Sequence, residues 1–129
     1  MRTCNRENMQ QLVDALESDE FEQTAGVLRH DDKFCCLGVA CQISGVGAWE
    51  LLTTGYAYRA LNDWSISVLP MEMVEWLGLK NNDSANALPV DSKYMDDNGD
   101  YMESAMCMND NGSTFAEIAK ALRDTYLED

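Results

Sequence analysis

The chain has 129 residues, a net charge of −14 and 46% hydrophobic residues. That length suits one domain with a real core, and three Trp, five Tyr and three Phe argue against disorder. The acidity repels nucleic-acid phosphates, and it either keeps a small protein soluble or serves as a recognition surface for a basic partner protein.

The charge is spread along the chain: residues 1–90 carry 13 acids and 6 bases, and residues 91–129 carry 10 acids and 3 bases. No apolar run approaches the roughly 20 residues of a membrane helix. The opening residues Met1 to Asn8 lack the apolar stretch of a signal peptide. The expected location is therefore the cytoplasm, where the five cysteines remain free thiols. Oligomeric state is left open.

In chain order, Asn5 is placed to cap a first helix over residues 6–17, whose Met9, Leu12, Val13 and Leu16 form one apolar stripe. The acids Asp19, Glu20 and Glu22 follow it. Val27-Leu28-Arg29 and Lys33-Phe34-Cys35 flank a polar turn and predict a hairpin. Cys36 to Ile43 predicts a short buried helix ending near Ser44-Gly45, and its Gly38 permits close approach of another backbone. Glycines at 45, 47 and 55 punctuate the next stretch. Trp64, Ile66 and Val68 alternate with serines, as a strand would, and Gly55–Arg59 is its expected partner.

Pro70 opens a helix that Gly78 ends. Asn81 to Ser84 is turn-rich, and Tyr101, Met102, Ala105 and Met106 suggest a helical turn or two. Asn109 to Gly112 reads as a loop. Thr114 and Glu117 form a capping box for a last helix over about residues 115–127. The expectation is an α+β single domain of several short helices with a small antiparallel sheet or hairpins.

Three stretches carry a resemblance: Phe34-Cys35-Cys36-Leu37-Gly38-Val39-Ala40-Cys41; Leu69-Pro70 leading to Trp76-Leu77-Gly78-Leu79; and Asn109-Asp110-Asn111-Gly112-Ser113-Thr114-Phe115-Ala116-Glu117-Ile118-Ala119. Their order resembles a family of small bacteriophage and prophage proteins of unassigned function. The likeness covers about residues 6–126 and departs at 80–108, which reads as an acidic insertion. The resemblance implies an accessory phage protein made in a bacterial cytoplasm. By analogy it implies an inhibitor of host machinery, including DNA mimics that oppose defence nucleases.

The cysteines set the main rival, a thiol enzyme or small-molecule binder built on Cys35, Cys36 and Cys41. A thiolate nucleophile needs a base beside it, and the single histidine is His30. A position at a helix N-terminus would lower the thiol pKa. As metal ligands the three fit poorly. Cys35 and Cys36 are adjacent, and Cys36 and Cys41 diverge by about 140° on a helix. Core packing is the simpler role for such residues. No metal or cofactor is expected.

Calcium loops aligned on Gly99 or Gly112 put Tyr94 or Cys107 at the first ligand position, so both segments read as turns. The last helix also looks like the first half of a DNA-reading helix-turn-helix, but phosphate would repel it. The acids supply the alternative: Asp19, Glu20 and Glu22 in one cluster, and Asp96, Asp97, Asp100 and Glu103 in another, as contacts for a basic surface on a host bacterial protein. A phage structural or assembly accessory remains a third reading. The methionines at 71, 73, 95, 102, 106 and 108 suit a core or an adaptable interface equally.

Overall fold

The computed structural model describes residues 2–80, 84–91 and 93–128. Helix α1 (Arg6–Glu17) begins where the Asn5 side chain accepts the Asn8 N–H at 3.0 Å. It buries Met9, Leu12, Val13 and Leu16. Burying each such side chain contributes roughly 2 kcal/mol, against about 1 kcal/mol for the cap, so packing holds the helix and the cap sets its start.

Strands β1 (Glu22–Gln23), β2 (Arg29–His30) and β3 (Lys33–Phe34) form a sheet of order β1-β3-β2. The expected hairpin is β2–β3, turning through Asp31 at φ 52°. The parallel pairing of β1 with β3 is an addition to it. Helix α2 (Cys36–Ser44) follows directly and stops at Gly45, whose φ of 69° is left-handed. It lies close against the β2 approach: a Cβ on Gly38 would sit 1.8 Å from the Leu28 carbonyl oxygen.

The second sheet is antiparallel, with order β4 (Ala48–Leu52), β5 (Gly55–Arg59), β6 (Trp64–Ser65). β4 is a strand despite the surrounding glycines, and Gly47 admits the Arg59 carbonyl, where a Cβ would meet it at 2.3 Å. β6 is shorter than the alternation to Val68 predicts. The Ser65 hydroxyl accepts the Ser67 and Val68 N–H groups at 3.2 and 3.0 Å and turns the chain out of the sheet. The two sheets are joined by Leu28, whose N–H donates to the Ile66 carbonyl at 2.8 Å.

Helix α3 (Met71–Trp76) has Pro70 as its N-cap, with Gly78 just past its end at φ 68°. The turn expected at Asn81 to Ser84 lies mostly outside the described residues. A 3-10 turn (Ala85–Ala87) leads to an extended stretch bridged at Pro89 and Ser104. Two expectations are corrected here. Tyr101 forms an isolated bridge with Met95, Met102 lies outside any helix, and helix α4 (Ala105–Asp110) starts only where the Ser104 hydroxyl caps it. The stretch 80–108, which reads as an acidic insertion, also contributes to the core: among its described residues Ala85, Leu88, Val90, Met102, Ala105 and Met108 are buried there.

Helix α5 (Phe115–Leu122) carries the predicted capping box and continues as a π-helical turn (Arg123–Leu127). It packs on α1, α1 packs on α2, and α2 packs on α4. The architecture is the expected α+β domain. Of the methionines, Met73, Met102 and Met108 are core, while Met71 and Met95 are about half exposed. Among the described residues no helix is long and apolar enough to cross a membrane.

Candidate functional site: a buried thiol segment and an acidic, partly apolar surface

The thiol segment is scaffold. Cys35 sits at the N-cap of α2, where its Sγ accepts the Gly38 N–H at 3.4 Å. That helix end favours a thiolate, but burial wins: Cys35 is 4% exposed and its pKa is pushed up to about 11. Cys36 is fully enclosed, its thiol donates to the Ala105 carbonyl at 3.5 Å, and burial raises its pKa well above the ordinary value. Burial raises Cys41 likewise. His30 is exposed on β2 with its ring 3.7 Å from the Asp31 carboxylate, and no hydrogen bond joins it to a thiol among the described residues. The three candidate thiols therefore lack both access and a base, which removes the physical grounds for a nucleophile. Among the described residues no three His, Cys, Asp or Glu side chains converge as a metal site would require. The open hollows lie elsewhere; one of about 300 Å³ is lined by Arg2, Thr3, Leu79, Lys80, Ala85, Pro89 and Tyr126.

The two strongest sequence signatures turn out to be one structural unit. Asn109, 2% exposed at the end of α4, accepts the Cys36 N–H and the Gln23 amide, both at 3.0 Å, through Oδ1. Its Nδ2 donates to the Thr24 carbonyl at 2.7 Å. Asp110 accepts the Gly26 N–H at 3.0 Å. The cysteine segment and the Asn109-Asp110-Asn111-Gly112 segment thus meet, and together they clamp residues 23–26. Nothing local to the expected loop at 109–112 signals this, since the partners are some 70 to 90 residues away in the chain.

The acid clusters are at the surface. Asp19, at φ 62°, follows α1 and lines a hollow with Phe21, Gln23, Thr114, Phe115 and Ala116, at the start of α5. Glu20 and Glu22 are exposed beside it. The second cluster is rooted near the far end of the same helical run. There the Tyr126 hydroxyl donates to the Pro89 carbonyl, and Thr125 Oγ1 accepts the Asp91 N–H at 2.9 Å. Asp96 differs from its neighbours: its Oδ1 accepts the Asn98 and Asp100 N–H groups at 2.9 and 3.0 Å, so this carboxylate builds the turn. Asp97, Asp100 and Glu103 are exposed. None of these three, nor Asp19, Glu20 or Glu22, makes an ion pair among the described residues.

Two surface features were not legible in the sequence. Arg29 spans the two sheets, with its guanidinium carbon 3.9 Å from the Tyr56 ring centroid and 5.4 and 5.5 Å from those of Phe34 and Trp49. Its Nε donates to the Asp31 carbonyl at 2.6 Å, so this aromatic group is already filled by the protein's own cation. The other feature is an exposed apolar group, Leu61, Trp64 and Met71, around the β5–β6 turn.

Fold and surface together define a small α+β domain whose Cys35, Cys36 and Cys41 thiols are enclosed and whose surface displays unpaired carboxylates and an exposed apolar group. The chain belongs to the family described as a domain of unknown function, DUF8296, whose model matches residues 4–126 and so spans the 80–108 stretch as well. Searches of curated proteins and of solved structures returned no match.

Proposed function

We propose that this protein is a phage-encoded accessory factor that binds a cationic surface on a host bacterial protein and blocks it without catalysis. The observation that carries this reading is the set of exposed carboxylates at Asp19, Glu20, Glu22, Asp97, Asp100 and Glu103, none of which forms an ion pair among the described residues. Neighbouring carboxylates held unpaired repel each other, and a basic partner relieves that repulsion while the net charge of −14 steers its approach. A nuclease of a defence system, whose nucleic-acid groove is cationic, is the target class this charge fits.

The test is a tagged capture from host lysate, read by mass spectrometry at low and high salt. The wild type is compared with a variant in which those six acids are changed to the matching amides. Asp96 is retained because it holds its turn. The expected result is one basic host protein captured at low salt, released as screening shortens from about 8 Å at 0.15 M to about 3 Å at 1 M, and associating on the order of tenfold more slowly with the amide variant. Capture insensitive to salt and to the six substitutions would overturn the reading.

A further inference from the structure

We propose that the β5–β6 turn is the docking face and that its occupant is a protein presenting an apolar pocket rimmed by Arg and Lys. This deepens the binding function above and rests on it. Leu61, in the turn, is 90% exposed, and Trp64 and Met71 are 54% and 50% exposed. They stand on a braced platform. Asp63 Oδ1 accepts the Trp64 N–H at 2.8 Å and Oδ2 accepts the Met71 N–H at 2.9 Å, so one carboxylate ties β6 to the first turn of α3. The Ala60 N–H donates to the Asp63 carbonyl at 2.9 Å, and Glu72 accepts the Asn62 N–H at 2.5 Å. Side chains displayed on a preformed turn lose little conformational freedom on docking. Trp and Met are also enriched in protein interfaces, and a grouped apolar exposure marks an interaction site.

Charge selects the occupant. Between Arg59 and Lys80 the chain carries Asp63, Glu72 and Glu75 and no base. Arg59 reaches the group, its guanidinium carbon 5.8 Å from the Trp64 ring centroid, but it is paired with Glu50 at 2.6 Å, which offsets its charge. Asp63 and Glu72 brace the turn itself, and with Glu75 they leave this stretch with a net negative charge. A second copy docked through the same face would set those acids against their own duplicates, in a chain of net charge −14. An anionic lipid surface is repelled in the same way. A cationic rim around an apolar pocket satisfies both halves of the surface.

The test is an NMR titration of the isotope-labelled full chain with three probes: an amphipathic peptide alternating Leu and Lys, the same peptide with Ser for Lys, and phosphatidylglycerol vesicles. The expected result is that the Leu/Lys peptide shifts the amide signals of Leu61, Trp64 and Met71 and the Trp64 indole. The Leu61→Ser/Trp64→Ser variant should bind it on the order of tenfold more weakly. Leu61→Ser alone serves as the second variant if the double variant fails to fold, since so exposed a side chain has little packing to lose.

Shifts confined to residues 19–22 and 97–103 would overturn the docking face and leave the charge-steered function standing. Equal binding of the Leu/Ser peptide would overturn the cationic rim. Binding of the vesicles, or concentration-dependent broadening of the same signals without any probe, would overturn the choice of a protein partner. No response to any probe, together with salt-insensitive capture from lysate, would remove the function and the face together.

Discussion

Gly38→Ala is expected to destabilise the fold by about 3 kcal/mol, a large part of a domain stability of roughly 5–15 kcal/mol. Alanine is worth about 1 kcal/mol more than glycine inside a helix, so local propensity alone predicts the opposite sign. Sterics decide. The new Cβ would lie 1.8 Å from the Leu28 oxygen and 2.8 Å from its carbonyl carbon, both backbone atoms. That backbone has nowhere to go, because the Leu28 carbonyl accepts the Cys35 N–H at 3.1 Å while its own N–H donates to Ile66. Moving it away from α2 strains the contact that joins the two sheets. Gly45→Ala is the comparison: its Cβ would have open space, and only the left-handed φ of 69° resists, at about 1 kcal/mol. Urea unfolding of the two variants checks this. A Gly38→Ala protein as stable as the wild type would mean that the close approach is absent.

Asn109→Ala is expected to remove about 3 kcal/mol. It leaves the Cys36 N–H and the Thr24 carbonyl without their partner in a site that is almost closed to water, and a buried unpaired group costs about 1–3 kcal/mol each. Asn109→Asp separates the acceptor role of this side chain from its donor role. The carboxylate keeps an acceptor for Cys36 and Gln23 but turns an oxygen toward the Thr24 carbonyl, which an anion cannot bond. Only the protonated acid donates there, and burial favours that form, so the folded pKa rises above the unfolded value. The folded protein then binds more protons, and stability falls as pH rises through that window. The variant should be closer to wild-type stability at pH 4 than at pH 8, as read by denaturation at both. Equal losses at the two pH values would contradict the assigned hydrogen bonds.

Much of the scaffold was legible because it is written locally. The apolar stripes of α1 and α5, the Thr114–Glu117 box, the glycine after α2 and the β2–β3 turn all lie within a few residues of what they specify. What escaped is long-range. The two-residue β1 gains its partner only once β3 is in place. Residues 80–108 stand out in the sequence by their acids, whereas their spaced apolar residues from Ala85 to Met108 pack into the core. The site was legible in kind but not in layout. The exposed acids were nameable from composition, but that Asp96 serves its own turn, that Arg29 fills an aromatic group, and that Leu61, Trp64 and Met71 share one platform all depend on chain crossings.

In the proposed function the cysteine segment is architecture and binding falls to the surface. Timed alkylation of the native protein at pH 8, mapped by mass spectrometry, tests it most directly. Cys4 and Cys107 are only partly buried and should label first, while Cys35, Cys36 and Cys41 should label only as fast as the protein unfolds, with a burst when denaturant is added. Rapid labelling of Cys35 or Cys36 in the folded protein would contradict the claim and return the thiol chemistry to first place.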